Sequence, residues 1–172
     1  LKPFQAASFR DKLSLVKEDS SEEGFYLLGK EGRLFYLHKS VGLIYPSSSS
    51  DYVAFSNHPY SNDGNGLNVV GTSDGKIYTV DFNNKALEME LLLTLPQNGG
   101  PLSALQLERD SLFIARGARV FKYNLSNQVL TFLFDLNQQG YLGQKVVSIV
   151  SVGTSREGIF CFLKDIDYLG ET

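Results

Sequence analysis

Val70-Gly71-Thr72-Ser73-Asp74-Gly75-Lys76-Ile77-Tyr78-Thr79-Val80-Asp81 is the stretch on which the fold turns. Two β-branched and aromatic runs flank Ser-Asp-Gly, and such runs favour extended backbone with side chains on alternate faces. The glycine offers the positive φ that a tight hairpin turn needs. This is a strand, a turn and a second strand.

The pattern recurs on either side. Phe25 to Leu37, with Glu31-Gly32 at its turn, lies over this stretch, and so does Leu112 to Tyr123, with the shorter turn Arg116-Gly117-Ala118. The basic residue just after each turn, Arg33, Lys76 and Arg119, recurs at a spacing of 43 residues, twice over. Apolar runs precede each hairpin (Leu13 to Val16, Tyr52 to Phe55, Leu102 to Leu107), and another strand follows each (Leu43 to Tyr45, Leu87 to Leu95, Val129 to Phe134). Four antiparallel strands per unit of this length make the blade of a β-propeller. A fourth unit opens at Val146 to Val150 and runs through Gly158 to Leu163 towards Leu169, short of a full blade. The 172 residues are therefore expected to form one all-β propeller segment, residues 1–172, of about four blades of antiparallel four-stranded sheet, at 11–46, 51–96, 101–136 and 145–172. A sandwich of evenly spaced hairpins is the alternative. Because an isolated half-ring exposes two apolar sheet faces, and the chain opens on Leu1-Lys2-Pro3 without Met, a larger ring is expected.

Val70 to Asp81 resembles the second and third strands of a WD-repeat blade, with its small residue, glycine turn and apolar strand ending near Asp. The resemblance covers the second and third units well and the first acceptably. It lacks the family's closing Trp-Asp pair, there being no Trp, and no Gly-His pair opens a blade. The chain is thus similar to divergent WD-like propellers, such as the citron-homology and vesicle-tether types. That likeness implies a non-catalytic platform for other proteins.

Composition narrows the function. A net charge of −3 provides no positive field for phosphate backbones, so no nucleic-acid partner is expected. Cys161, the sole cysteine, forms neither an intrachain disulfide nor a multi-thiolate metal site and suits a reducing, intracellular compartment, cytoplasmic or nuclear. No apolar run approaches the ~20 residues of a membrane helix. His38 and His58 lie beside turns in different units and read as surface side chains, not metal ligands. Gly71 to Lys76 opens a strand rather than a helix and is no phosphate loop. Asn62 to Gly66 has oxygen ligands but no closing carboxylate, and reads as a long loop. Glu88 and Glu90, or Asp165 and Asp167, share a strand face without any sign of burial, so no acid–base pair, catalytic residue, metal or cofactor is expected.

Phe25, Phe35, Tyr78, Phe113, Phe121, Phe132, Phe134, Phe160 and Phe162 lie in strands and are expected in the core. Tyr45, Tyr60 and Tyr141 near turns, with Arg116, Arg119 and Arg156, are the candidate partner contacts, forming a thin basic and aromatic rim. The expected function is a protein–protein interaction scaffold within an intracellular assembly. Its partners are other subunits or peptides, with the remaining blades supplied by the same protein or by another chain. The alternative is a propeller enzyme or small-ligand sensor using the central channel. Gly29, Gly71 and Ala115 stand at one equivalent repeat position, where their small size favours close packing over chemistry.

Overall fold

The computed structural model describes residues 12–19, 23–45, 51–58, 66–97, 99–152 and 158–165. Sheet one comprises β1 (Leu13–Glu18), β2 (Gly24–Gly29), β3 (Leu34–His38) and β4 (Gly42–Ile44). Sheet two comprises β5 (Tyr52–His58), β6 (Leu67–Thr72), β7 (Lys76–Asn83) and β8 (Ala86–Thr94), and sheet three β9 (Leu102–Glu108), β10 (Ser111–Arg116), β11 (Arg119–Asn124) and β12 (Val129–Asp135). In each, the strands lie in chain order and every neighbour is antiparallel. The fourth unit, expected to fall short of a full blade, has two strands among the described residues, β13 (Gln144–Val152) and β14 (Gly158–Asp165).

Val70 to Asp81 lies in the hairpin of β6 and β7, with Val70 opposite Tyr78. Asn84 and Lys85 carry the chain from β7 into β8 with φ of 48° and 66°, the left-handed pair that matches strand twist in a two-residue hairpin. The first strand of every sheet carries one extra residue against its partner: Ser14, Val53, Ser103 and Val147. Such bulges bend a strand and deepen its twist. Two of them are stitched alike, Ser14 donating its hydroxyl to the Leu28 carbonyl and Ser103 to that of Ala115. β13 and β14 therefore correspond to the first two strands of the complete sheets.

The sheets stack in chain order, with a core between each consecutive pair. Alternation sends Val70 into the layer shared with sheet one and Val69 into the layer shared with sheet three; both are fully buried. Between sheets one and two the aromatic rings of Tyr26, Tyr36, Phe55 and Phe82 pack with centroids 4.7–4.9 Å apart. A Cβ at Gly71 would lie 2.1 Å from Cδ2 of Leu102, which accounts for a residue without a side chain where sheet three comes closest. Main-chain bonds latch each sheet to the next at the same place: Tyr52 N–H to Gly32 C=O, Leu102 N–H to Ser73 C=O, and Val146 N–H to Gly117 C=O, at 2.9–3.2 Å.

Four of the expected core rings are in fact exposed. Phe25, Phe132, Phe160 and Phe162 stand on outer strands or on end-sheet faces that no described sheet covers, with Phe160 at 63% and Phe162 at 57%. His38 departs in the other direction. Its side chain is only 10% exposed, its Nδ1 accepts the N–H groups of Ser40 and Val41 to close the β3–β4 turn, and its ring lies 4.7 Å from Phe82. The turn needs a ring nitrogen, and the neighbouring sheet covers the rest.

Candidate interaction surface

Antiparallel order places the β2–β3, β6–β7 and β10–β11 turns at one end of the stack, together with the β4–β5, β8–β9 and β12–β13 connections. Tyr45, Arg116, Arg119 and Tyr141 all belong to this end, although they are spread over nearly one hundred residues of chain. Tyr60 and Arg156 lie outside the described residues.

Tyr45 is 57% exposed beyond the end of β4, and its ring meets Phe35 edge-on at 5.2 Å. Tyr141 (51% exposed) and Leu142 follow a short 3-10 turn, Leu136–Gln139. That turn is capped at its start by Asp135, whose side chain accepts the Asn137 N–H, and at its end by Gly140 at φ 87°; Tyr141 N–H is then tied to the Leu136 carbonyl at 3.0 Å. The capping residues fix the loop that presents the two apolar side chains. Leu142 was missed by the sequence reading, though Asp before and Gly after a short polar run are the usual capping signal.

The basic residues of the 43-residue period are each paired with a carboxylate at this end. Arg33 meets Glu31 at 2.6 Å, Lys76 meets Asp74 at 3.3 Å, and Arg119 donates from Nε to Asp135 at 3.0 Å. The short Gly117-Ala118 turn carries no acid of its own, so the third carboxylate comes from the end of β12. Around Asp135, burial pushes the carboxyl up, but the hydrogen bond and charge of Arg119, with the Asn137 N–H, outweigh it and hold the group below the ordinary carboxylate range. Thr72 donates to Asp74 and, with Lys76, lowers that carboxyl as well. At these three described positions the basic side chains are therefore charge-balanced.

Arg116 has a different place. It is only 6% exposed, and its guanidinium donates to the carbonyls of Pro96, Gly100 and Asp74, pinning the β8–β9 connection to the turn of sheet two. Beside it, Asp51, Thr72, Ser73, Asp74, Lys76 and Tyr78 line a cleft of 190 Å³. That is below the roughly 300 Å³ at which small-molecule sites begin. Among the described residues no three His, Cys, Asp or Glu side chains come together as a metal site, and no helix is long and apolar enough to cross a membrane.

No family model and no curated protein matches the sequence. Solved structures do match by shape. The chain is similar to U3-55K (TM-score 0.55, 13% identity, 81% of this chain and 42% of that one) and to the WD40 repeats of RRP9 (0.54, 14%, 81% and 42%). It is also similar to the extracellular domain of the hybrid two-component system BT4673 from B. thetaiotaomicron (0.61, 18%, 90% and 19%) and to a luciferin-regenerating enzyme (0.59, 13%, 85% and 52%). The chain spans about half or less of the length of these structures. At such identities the likeness concerns architecture: the chain has an all-β, propeller-type fold, with WD40 propellers among its structural neighbours.

Proposed function

We propose that the chain is a non-catalytic docking platform, an arc of a larger propeller in an intracellular assembly, to which partner proteins bind at the end that carries Tyr45, Arg119 and Tyr141. The observation that carries this reading is the way the end is built. Turns from three sheets are latched by main-chain hydrogen bonds, their ion pairs are internally balanced, and exposed aromatic and aliphatic side chains stand on that fixed frame. Rigid aromatic anchors with little left to order are what protein interfaces use for affinity. Further sheets, from the same protein or from another chain, would cover the outer faces of sheets one and four.

The likeness to a luciferin-regenerating enzyme supports a second reading, a propeller enzyme or ligand sensor. Affinity purification from cells, comparing wild type with a Tyr45→Ala/Tyr141→Ala double variant of unchanged melt, separates the two. The platform reading expects a defined set of proteins that is lost with the variant. Recovery of no protein, or of a set indifferent to the variant, overturns it.

A further inference from the structure

His38 closes the turn between β3 and β4 with a ring nitrogen. Its Nδ1 accepts the N–H groups of Ser40 at 3.1 Å and Val41 at 3.2 Å, so that nitrogen carries no proton while the turn is shut, and the proton of the neutral ring sits on Nε2. Asp81 and Asn124 stand at the same place in the next two sheets, at the 43-residue spacing of Arg33, Lys76 and Arg119. At the end of β11, Asn124 does the same work with an amide oxygen, its Oδ1 accepting the Asn127 N–H at 3.0 Å. In sheet two the chain turns further on, through the left-handed Asn84 and Lys85, and Asp81 lies opposite Glu88 in the ladder. Of the three equivalent places, the one in sheet one is closed by an acceptor that a proton removes near neutral pH.

The ring is held in place on several sides. Its centroid lies 4.7 Å from that of Phe82 on β7 and 6.2 Å from that of Tyr36. Glu23 Oε2 is 3.6 Å from Nε2, but this half-exposed carboxylate is shared with Lys39 at 3.4 Å. Asp19 is taken up by the Tyr36 hydroxyl and the Asn68 amide. Beside Phe82, the Asp81 carboxyl is pushed up by burial, then by the charges of Asp19 and Glu88. A second proton, on Nδ1, would face two N–H donors and abolish both hydrogen bonds, while exposed Glu23 offsets only part of that loss. β4 has few other ties: it is three residues long, lies at the edge of its sheet and pairs with β3 through Gly42, Leu43 and Ile44. Tyr45 follows it directly.

We propose that His38 is a proton-operated catch on β4: the neutral ring keeps the turn closed, and the protonated ring lets go of Ser40 and Val41, so that β4 and Tyr45 loosen from sheet one. The catch opens as pH falls through about 7 to 5, the range in which imidazoles titrate while most carboxylates stay charged. Only its consequence for partners, through Tyr45, rests on the docking platform; the catch itself stands on the turn.

Nitrogen–proton correlation spectra of the intact chain read the His38 tautomer, and amide exchange, corrected for the intrinsic effect of pH, reads the turn. At about pH 7.5 the His38 proton is expected on Nε2, and between about pH 7.5 and 5.5 the protection of the Ser40, Val41 and β4 amides should fall at least about tenfold, in step with the His38 titration. The Asn127 amide, held by an oxygen that gains no proton in this range, should keep its protection and serves as the internal reference. His38→Asn places such an oxygen in sheet one and should keep the turn closed throughout. A proton on Nδ1 at the higher pH overturns the proposal. So does an imidazole that titrates while the turn amides hold, or an equal fall in His38→Asn, which would assign the change to Glu23 or Asp81. Should His38→Asn not fold, the wild-type comparison of Ser40 and Val41 with Asn127 still decides, since a fall shared by Asn127 also overturns the catch. No partner enters this measurement, so its failure and that of the affinity purification are told apart.

Discussion

Arg116 and Gly75 show how one side chain and one missing side chain are fitted to each other. A Cβ at Gly75 would lie 2.8 Å from Nη1 of Arg116, and the glycine holds φ at 92°. Gly75→Ala is expected to cost about 1–3 kcal/mol, from backbone strain and displacement of the guanidinium. Arg116→Met removes a cation that satisfies three carbonyls in a nearly closed site and should cost about 3 kcal/mol in urea unfolding. Arg116→Lys should rescue little of that, since an ammonium cannot span the same fork of acceptors. A loss under about 0.5 kcal/mol for Arg116→Met would show that water serves these carbonyls equally well. Asp135 gives the pH signature. Its carboxyl is held below its ordinary value in the fold, so its contribution is complete above the unfolded value of about 4 and disappears as pH falls through the lower folded one. Acid titration of stability should show this loss in wild type, and Asp135→Asn should be weaker at neutral pH with a flatter acid limb.

The junction between sheets one and two is held by a polar contact inside an apolar layer. Asp19, just past β1, accepts from the Tyr36 hydroxyl at 2.8 Å and from the Asn68 amide at 3.3 Å, while Asn57 donates to the Glu18 carbonyl. Asp19 and Asn68 are both buried, and Asn68 Oδ1 finds no hydrogen-bond partner among the described residues. Burial, then the nearby Asp19 charge, pushes the Tyr26 phenol far above its usual range, which keeps that ring neutral in the layer. Tyr36→Phe removes one of the hydrogen bonds that buried Asp19 accepts and should cost about 1–3 kcal/mol, with faster amide exchange concentrated in β1 to β3. Uniform loosening of all four sheets would argue against a junction role. This element also marks how far the sequence could be read. Hairpins were legible because Gly75 and the alternation around it are local signals. Asp19 and Asn68 stand 49 residues apart and meet only because two sheets stack. The first-strand bulges fall on two serines and two valines, Ser14, Ser103, Val53 and Val147, residue types common throughout the strands, so no local pattern announced them. His38 read as exposed for the same reason, since its cover, Phe82, arrives from the next sheet.

At the scale of the whole molecule, exposure follows from the order of the sheets rather than from residue type. Val69 and Val70 are buried on opposite sides because sheet two has a neighbour on both; Phe160 and Phe162 are strand aromatics like Phe113 and Phe121, yet sheet four has a described neighbour on one side only. With Val147 and Val150 they make an apolar patch of the kind that marks an interaction face. Stability and association should therefore separate at these positions. Phe160→Lys/Phe162→Lys removes exposed apolar surface, so the melt should shift by less than about 1 kcal/mol while concentration-dependent light scattering and dye binding to the face fall sharply. If the double variant instead unfolds, with a loss above about 3 kcal/mol, the rings are buried in the solution form and a sheet of the same molecule covers them. A melt that holds with scattering unchanged would mean that the patch makes no contacts, and the case for further sheets would then rest on the outer face of sheet one, where Phe25 and Val16 are exposed.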